Sequence, residues 1–158
     1  MDRMAFQRGV KDVMPLLLGI IPFGFIAGIA AVNAGLGLAE AVGLSAIVFA
    51  GAAQLATLEL VGQDAPLAII VVTAVVINLR MAMYSASIAP YFRALSRRTK
   101  TAAAYLLTDQ AYALAIARYR DGESTRSIGY YFGVAATLWV VWQLTTVAGV
   151  VLGTRVPE

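Results

Sequence analysis

Two charged side chains, Arg80 and Asp109, lie deep inside apolar stretches of this sequence. An Arg or Asp at the centre of a membrane-spanning helix costs about 2.5–3.5 kcal/mol on insertion scales, so such residues usually face protein or water and serve a function. Arg80 either lines a substrate pathway as a fixed cation or is a structural residue, satisfied by backbone carbonyls or by snorkelling. A carboxyl group at such a depth either pairs with a cation or holds a proton. Asp109 therefore either locks two helices through Arg80 or takes part in proton-coupled transport.

Further polar side chains occur at the same depth as these two charges. Tyr84 shares a helical stripe with Arg80, Thr73 and Ser87, and Asn78 adds a second polar line beside that stripe. A helix that carries such a stripe is expected to turn it towards protein or water. Gln54 is the polar end of a run of small residues in an earlier apolar stretch. The candidate site residues are therefore Gln54, Asn78, Arg80, Tyr84 and Asp109.

The residue inventory excludes several classes of chemistry. The sequence contains no histidine and no cysteine, which removes disulfides, thiolate nucleophiles, His-based triads and the common zinc sites. We therefore expect no metal, no cofactor and no enzymatic activity. The net charge of +3 comes from 12 basic and 9 acidic residues, and the basic ones cluster in short segments between apolar runs. Such clusters indicate membrane topology, so we expect no nucleic-acid binding.

The composition predicts an all-α integral membrane protein that forms one transmembrane domain over residues 1–158. Hydrophobic residues make up 60% of the 158-residue chain and charged residues 13%, against about 45–50% and 25% in soluble domains. The N-terminal residues 1–12 form either a short interfacial helix before Pro15 or a frayed tail. About five hydrophobic segments follow, over Met14–Ala34, Ala39–Val61, Pro66–Phe92, Thr101–Ala117 and Ile128–Leu152.

The distribution of Lys and Arg predicts that at least one segment does not cross the membrane. The N-terminus has three basic residues, the next two links have none, and Arg93–Lys100 has four. The positive-inside rule places both basic segments in the cytoplasm, whereas three full crossings would separate them. The second segment is the best candidate for a re-entrant or broken helix. The Arg118–Ser127 loop raises the same question, more weakly, for the fourth segment.

Two places are predicted to break helices. Pro22 removes a backbone donor inside the first segment and is expected to kink it, with Gly24 beside it. The run Phe49–Gln54, which contains Ala50 and Gly51, is expected to interrupt the second segment. Glycines spaced four apart (Gly24 and Gly28, Gly129 and Gly133, Gly149 and Gly153) fit faces on which helices pack closely.

The chain resembles the AzlC family, the large subunits of bacterial branched-chain amino-acid exporters. The matching stretches run in family order across nearly the whole chain, and they contain both Arg80 and Asp109. They are Gly9-Val10-Lys11-Asp12 with Pro15, Ile21-Pro22-Phe23-Gly24, Phe49-Ala50-Gly51-Ala52-Ala53-Gln54, Asn78-Leu79-Arg80 with Tyr84, Ala89-Pro90-Tyr91, and Leu107-Thr108-Asp109.

The resemblance implies export of branched-chain or related small amino acids across the bacterial inner membrane. It also implies a small hydrophobic partner subunit of the AzlD type. Arg80 would bind the substrate carboxylate, oriented by Gln54 and Asn78, and Asp109 would receive the ammonium group or carry the coupling proton.

The chain departs from the family pattern in three places. Met81 stands where a histidine often follows the Asn-Leu-Arg motif, and Gln110 stands where a second acid is common. Family members also usually continue with further membrane segments, so we expect C-terminal segments typical of the family to be lacking. The alternative to a transport subunit is a non-transporting structural or assembly subunit of a membrane complex, which would need partner contacts but no wet cavity.

Overall fold

The computed structural model describes residues 2–120 and 128–155, which fold into α-helices and contain no β-strand. The all-α prediction is therefore confirmed for this part of the chain. The helices are α1 (Arg3–Asn33), α2 (Leu38–Val48), α3 (Gly51–Gly62), α4 (Leu67–Ile88), which a 3₁₀ turn (Ala89–Phe92) follows, α5 (Arg97–Tyr105), α6 (Asp109–Arg120) and α7 (Ile128–Gly153).

Within these residues, three stretches are long and apolar enough to cross a membrane: Arg3–Asn33, Leu67–Phe92 and Ile128–Gly153. They correspond to the first, third and fifth predicted segments. The second and fourth segments are each divided into two helices of 9–12 residues, shorter than the roughly 20 residues that a span requires. The structure therefore supports three spans and does not confirm five.

The predicted interruption of the second segment is present at Phe49–Ala50. Phe49 ends α2 in the left-handed region, with φ 35° and ψ 47°, and its N–H donates to the carbonyl oxygen of Ser45. Ala50 is extended and precedes the first residue of α3. A Cβ on Gly51 would lie 2.8 Å from the Trp142 ring and 2.9 Å from the Phe23 ring. Only glycine fits there without displacing an aromatic ring.

An interruption of the helix at Pro22 is wrong, because α1 runs continuously from Arg3 to Asn33, whereas the predicted kink stays a prediction. A proline inside a helix removes one hydrogen bond, the one to the carbonyl four residues earlier. Close packing of the following turns supports the helix: a Cβ on Gly24 would overlap the Thr145 side chain, and one on Gly28 would overlap the Thr146 carbonyl oxygen. The packing on α7 offsets the missing bond.

The N-terminal segment also continues directly into α1. The helix passes through Pro15 without a boundary, and the Asp2 carboxylate accepts a hydrogen bond from the Met4 N–H at 3.0 Å. A separate short helix before Pro15 and a frayed tail are therefore both wrong for these residues. Their predicted position at the membrane interface stays a prediction.

The described residues divide into two compact units. Among the described residues, the first unit comprises 2–17, 80–120 and 128–139, and the second comprises 18–79 and 140–155. In the first unit, α1 meets α7 at a glycine pair, since a Cβ on Gly9 would overlap the Tyr130 carbonyl oxygen and one on Gly133 that of Phe6.

The second unit repeats this close approach. A Cβ on Gly149 would overlap the Phe25 carbonyl oxygen, and Gly153 approaches Ile29 and Val32. The core of this unit is a cluster of Ala31, Ala41, Leu58 and Val150. The packing roles predicted for Gly24, Gly28, Gly133, Gly149 and Gly153 are therefore confirmed.

Candidate functional site

Arg80 and Asp109 form an ion pair within the first unit. Nη1 of Arg80 lies 2.7 Å from Oδ2 of Asp109, and the two side chains are 32% and 35% exposed. Arg80 lies on α4 and Asp109 is the first residue of α6. The pair predicted from insertion cost is thus present, and it is only partly enclosed by the described residues.

Asp109 occupies the start of a helix. Residues 106–108 separate α5 from α6, and the Thr108 hydroxyl oxygen accepts a hydrogen bond from the Ala111 N–H at 3.2 Å, which caps α6. An anion at a helix N-terminus is stabilised by the helix dipole and by free backbone N–H groups. The break therefore lowers the cost of placing a carboxylate here, and it divides the fourth predicted segment.

Aromatic contacts continue the line that begins at the ion pair. One turn further along both helices, the rings of Tyr84 and Tyr112 stack, with centroids 4.5 Å apart and planes 17° apart. The Tyr112 hydroxyl donates to Oγ of Ser87 at 2.8 Å. Tyr91, in the 3₁₀ turn, then contacts Tyr119 at a centroid distance of 5.2 Å. We name this line from Arg80 to Tyr91 and from Asp109 to Tyr119 the α4–α6 seam.

The ion pair retains capacity for further hydrogen bonds. Nε of Arg80 and Oδ1 of Asp109 are buried atoms that have no hydrogen-bond partner among the described residues. A buried polar atom without a partner costs about 1–3 kcal/mol, so such atoms favour a ligand or water beside them. The seam thus contains one cation and one anion, and each can form one more hydrogen bond: Arg80 as a donor and Asp109 as an acceptor.

Gln54 and Asn78 belong to the second unit and lie on different helices there. Gln54 is fully buried on α3, and its Oε1 accepts a hydrogen bond from Nε1 of Trp142 at 3.3 Å. Asn78 lies half-buried on α4. Nε2 of Gln54 and Oδ1 of Asn78 have no hydrogen-bond partner in the part of the chain that the structure describes. Their predicted role in orienting a substrate stays a prediction.

The predicted helix-break residues also fall in the second unit. Pro22 and Gly24 lie inside α1, whereas Ala50 and Gly51 form the junction of α2 and α3. The Phe23 ring lies 5.8 Å from the Trp142 ring, so the junction and the Gln54 amide share one aromatic neighbour. Trp142, whose sequence position suits either an interfacial belt or helix packing, is 5% exposed, which agrees with helix packing.

A second charged cluster in the first unit was not predicted. Asp12 Oδ2 lies 3.1 Å from Nη1 of Arg118 and accepts a hydrogen bond from the Tyr130 hydroxyl at 3.1 Å. The Arg118 guanidinium carbon also lies 4.7 Å from the centroid of the Tyr130 ring. The cluster joins α1, α6 and α7. The sequence contains one signal for this cluster, which is that Asp12 belongs to the first stretch that matches the family. Arg118 gives no signal, because it belongs to a segment that the sequence predicts as a basic loop.

Tyr112→Phe tests the seam, because it removes the hydroxyl that donates to Ser87 and keeps the stacked ring. One such hydrogen bond contributes about 1 kcal/mol, so the free energy of unfolding in detergent should fall by about that amount. Tyr84→Phe, which keeps the same stack, is the matched control. In a double-mutant cycle with Ser87→Ala, additive effects would contradict the Tyr112–Ser87 contact.

The fold and the composition define the class of this protein: it is a helical membrane protein, with an ion pair at the junction of two short helices. The sequence pattern of the family described as "AzlC protein" matches residues 15–156. The chain therefore belongs to the AzlC family, as its matching stretches predicted.

The chain is also similar to individual membrane proteins of bacteria and of an archaeon. The chain is 30% identical over 149 residues to the "Inner membrane protein YgaZ" of Escherichia coli (strain K12), which covers 94% of the chain and 61% of that protein. It is 30% identical over 148 residues to an "Uncharacterized membrane protein" of Archaeoglobus fulgidus, a match that covers 94% of the chain and 63% of that protein. It is 26% identical over 157 residues to an "Uncharacterized membrane protein" of Helicobacter pylori strain 26695, a match that covers 95% of the chain and 67% of that protein. The chain thus spans about three fifths of the length of the first two. No solved structure matches the chain.

Proposed function

We propose that this chain is a transport subunit that exports branched-chain or related small amino acids from the cytoplasm. Membership of the AzlC family and similarity to membrane proteins support a transport-related role. The observation that carries the substrate class is the Arg80–Asp109 pair, which is about one-third exposed and has an unpartnered atom on each side.

An α-amino acid matches this pair chemically. Its carboxylate is the partner that a guanidinium binds best, through two parallel N–H···O bonds. Its ammonium group is a donor with a full positive charge, which a carboxylate accepts. A bound zwitterion would therefore replace the direct contact between Arg80 and Asp109 with two charge-assisted contacts of its own, and neither protein charge would be left without a partner.

The same pair suits coupling to protons. When the ammonium group leaves, the Asp109 carboxylate can bind a proton in its place, because both ligands require the ionised oxygen atoms. Competition between a proton and a substrate for one carboxylate couples their movements in opposite directions. We propose that proton entry in this way drives amino-acid export.

We further propose the partner that the resemblance implies and the orientation that the distribution of basic residues predicts. The partner is a small hydrophobic subunit of the AzlD type, and the exposed face of α4 supports such a contact. That face is wholly apolar, and each of its large side chains is more than half exposed: Val71, Val72, Val75, Val76, Leu79 and Met83. The protein would lie in the bacterial inner membrane, with Arg3, Arg8 and Lys11 on the cytoplasmic side.

Asp109→Asn tests the proton coupling. The amide keeps a hydrogen-bond acceptor for Arg80 but cannot hold a proton or a full negative charge, so an imposed pH gradient should no longer drive leucine accumulation in proteoliposomes. The stimulation by the gradient should fall at least tenfold. Asp12→Asn, which removes the acid of the other ion pair, is the matched control and should keep the stimulation. If Asp109→Asn kept it as well, the coupling role would be refuted.

A further inference from the structure

The first unit contains a pocket that the proposed transport site does not use. Its volume is about 450 Å³, and it lies where the end of α4, the 3₁₀ turn, α5 and α7 meet. Pockets of about 300–1,000 Å³ are typical of small-molecule binding sites. Most of its lining is apolar: Ala86, Ile88, Ala89, Pro90, Phe92, Ala103, Ala104, Leu107 and Tyr131, with Ser85 beside them.

The floor of this pocket offers carbon atoms to a ligand. Tyr131 is fully buried, and its hydroxyl donates to the Ala103 carbonyl oxygen at 2.7 Å. The Tyr131 hydroxyl therefore already has a hydrogen-bond partner, and its ring lines the pocket with carbon atoms. Ile88 and Phe92 add two further buried apolar side chains. An apolar chain lying against these side chains would meet carbon atoms and would leave no polar group of theirs without a partner.

The remaining lining residues are two cations, Arg93 and Lys100. Nζ of Lys100 donates to the Arg93 carbonyl oxygen at 2.9 Å, so the Lys100 ammonium lies beside the Arg93 main chain. Among the described lining residues there is no Asp or Glu. A zwitterionic amino acid would find no partner for its ammonium group here, whereas an anion with an apolar body would satisfy both parts of the lining.

The pocket lies at the end of a candidate membrane span, and this position favours one class of anion with an apolar body, the anionic lipids. The third candidate span covers Leu67–Phe92, and Arg93 follows its last residue, which is the position at which such a span would reach the membrane–water interface. Basic residues at that level attract anionic lipid headgroups, each contributing about 1 kcal/mol. Arg97 and Arg98 lie in the same basic segment but do not line the pocket.

We propose that this pocket binds an anionic phospholipid, whose phosphate contacts Arg93 and Lys100 while part of an acyl chain lies along Ala86, Pro90 and Ala104. The inference is independent of the transported substrate, since it uses no residue of the Arg80–Asp109 pair. It predicts a lipid that remains bound when the surrounding bilayer is replaced by detergent.

Native mass spectrometry of the detergent-solubilised chain, titrated with phosphatidylglycerol or with phosphatidylcholine, measures this binding. The unaltered chain should retain phosphatidylglycerol at least tenfold more tightly than phosphatidylcholine. Arg93→Gln with Lys100→Gln should abolish this preference. Arg97→Gln with Arg98→Gln removes the same charge from the same segment outside the pocket, and it should keep the preference.

A third variant separates the acyl-chain pocket from simple charge attraction. Ala86→Phe fills the pocket from an exposed position and leaves every cation in place, so retention should fall at least fivefold. Equal losses in the Arg93/Lys100 and Arg97/Arg98 variants, or unchanged retention in Ala86→Phe, would overturn the proposal in favour of unspecific attraction. Full competition by inorganic phosphate at millimolar concentration would also overturn it, because the free ion would then account for the site.

Discussion

Arg80→Gln is expected to reduce leucine and valine efflux from cells at least thirtyfold while the protein is still made and inserted. Removing one member of a hydrogen-bonded charge pair costs about 2–5 kcal/mol, and every 1.4 kcal/mol is a factor of ten in affinity. Glutamine keeps donors but not the charge or the fork that a carboxylate binds. Efflux of labelled leucine, divided by the amount of protein in the membrane, measures the loss.

Two further variants separate substrate binding from simple locking of helices. Arg118→Gln breaks the Asp12 pair of the same unit and should keep efflux within about twofold once protein amount is considered. The charge reversal Arg80→Asp with Asp109→Arg preserves an ion pair between α4 and α6 but inverts the site. A locking role predicts restored efflux in this double variant, whereas we expect a folded and inactive protein.

The second large effect concerns folding. Gly149→Leu should abolish the folded form, because even a Cβ at this position overlaps the Phe25 backbone. Overpacking by single methylenes already costs about 1–3 kcal/mol, and the clash here is with main-chain atoms that cannot move alone. The folded fraction after extraction in detergent, measured by size-exclusion chromatography, should fall below one tenth of the unaltered chain.

Gly19→Leu is the matched control for this effect. Gly19 lies in α1, and a Cβ on it would meet no atom within 4 Å among the described residues. Leucine has a higher helix propensity than glycine, so folding should be unchanged or slightly improved. Equal losses in Gly149→Leu and Gly19→Leu would contradict the close approach of α1 and α7.

The charged pair could be predicted from the sequence because the membrane makes stranded charges expensive. Arg80 and Asp109 stand out against apolar neighbours, and each needs an opposite charge or a proton. The interruption at Phe49–Ala50 could also be predicted, since the parity of the basic loops required one segment not to cross. Both inferences depend on the free energy of placing a charged residue in or beside the membrane. This free energy can be judged for each residue without knowing its tertiary contacts.

The features that were missed depend on contacts between distant parts of the chain. Asp12 and Arg118 pair across 106 residues, and no local pattern links them. Pro22 fails to break α1 because the packing of Gly24 and Gly28 on α7 compensates for one lost hydrogen bond. The start of α6 had a local signal, the Thr108 cap, but the apolar residues around it favoured one continuous segment.

Equilibrium binding of tritiated leucine to the purified chain tests most directly whether Arg80 and Asp109 form an amino-acid site. Saturable binding is expected in the unaltered chain and in Arg118→Gln, with at least a thirtyfold weaker affinity in Arg80→Gln. Leucine should also compete far better than isovalerate or isoamylamine, because each of those lacks one of the two charged groups. Unchanged affinity in Arg80→Gln, or no binding to the unaltered chain, would contradict the site, and the latter would favour a non-transporting structural subunit.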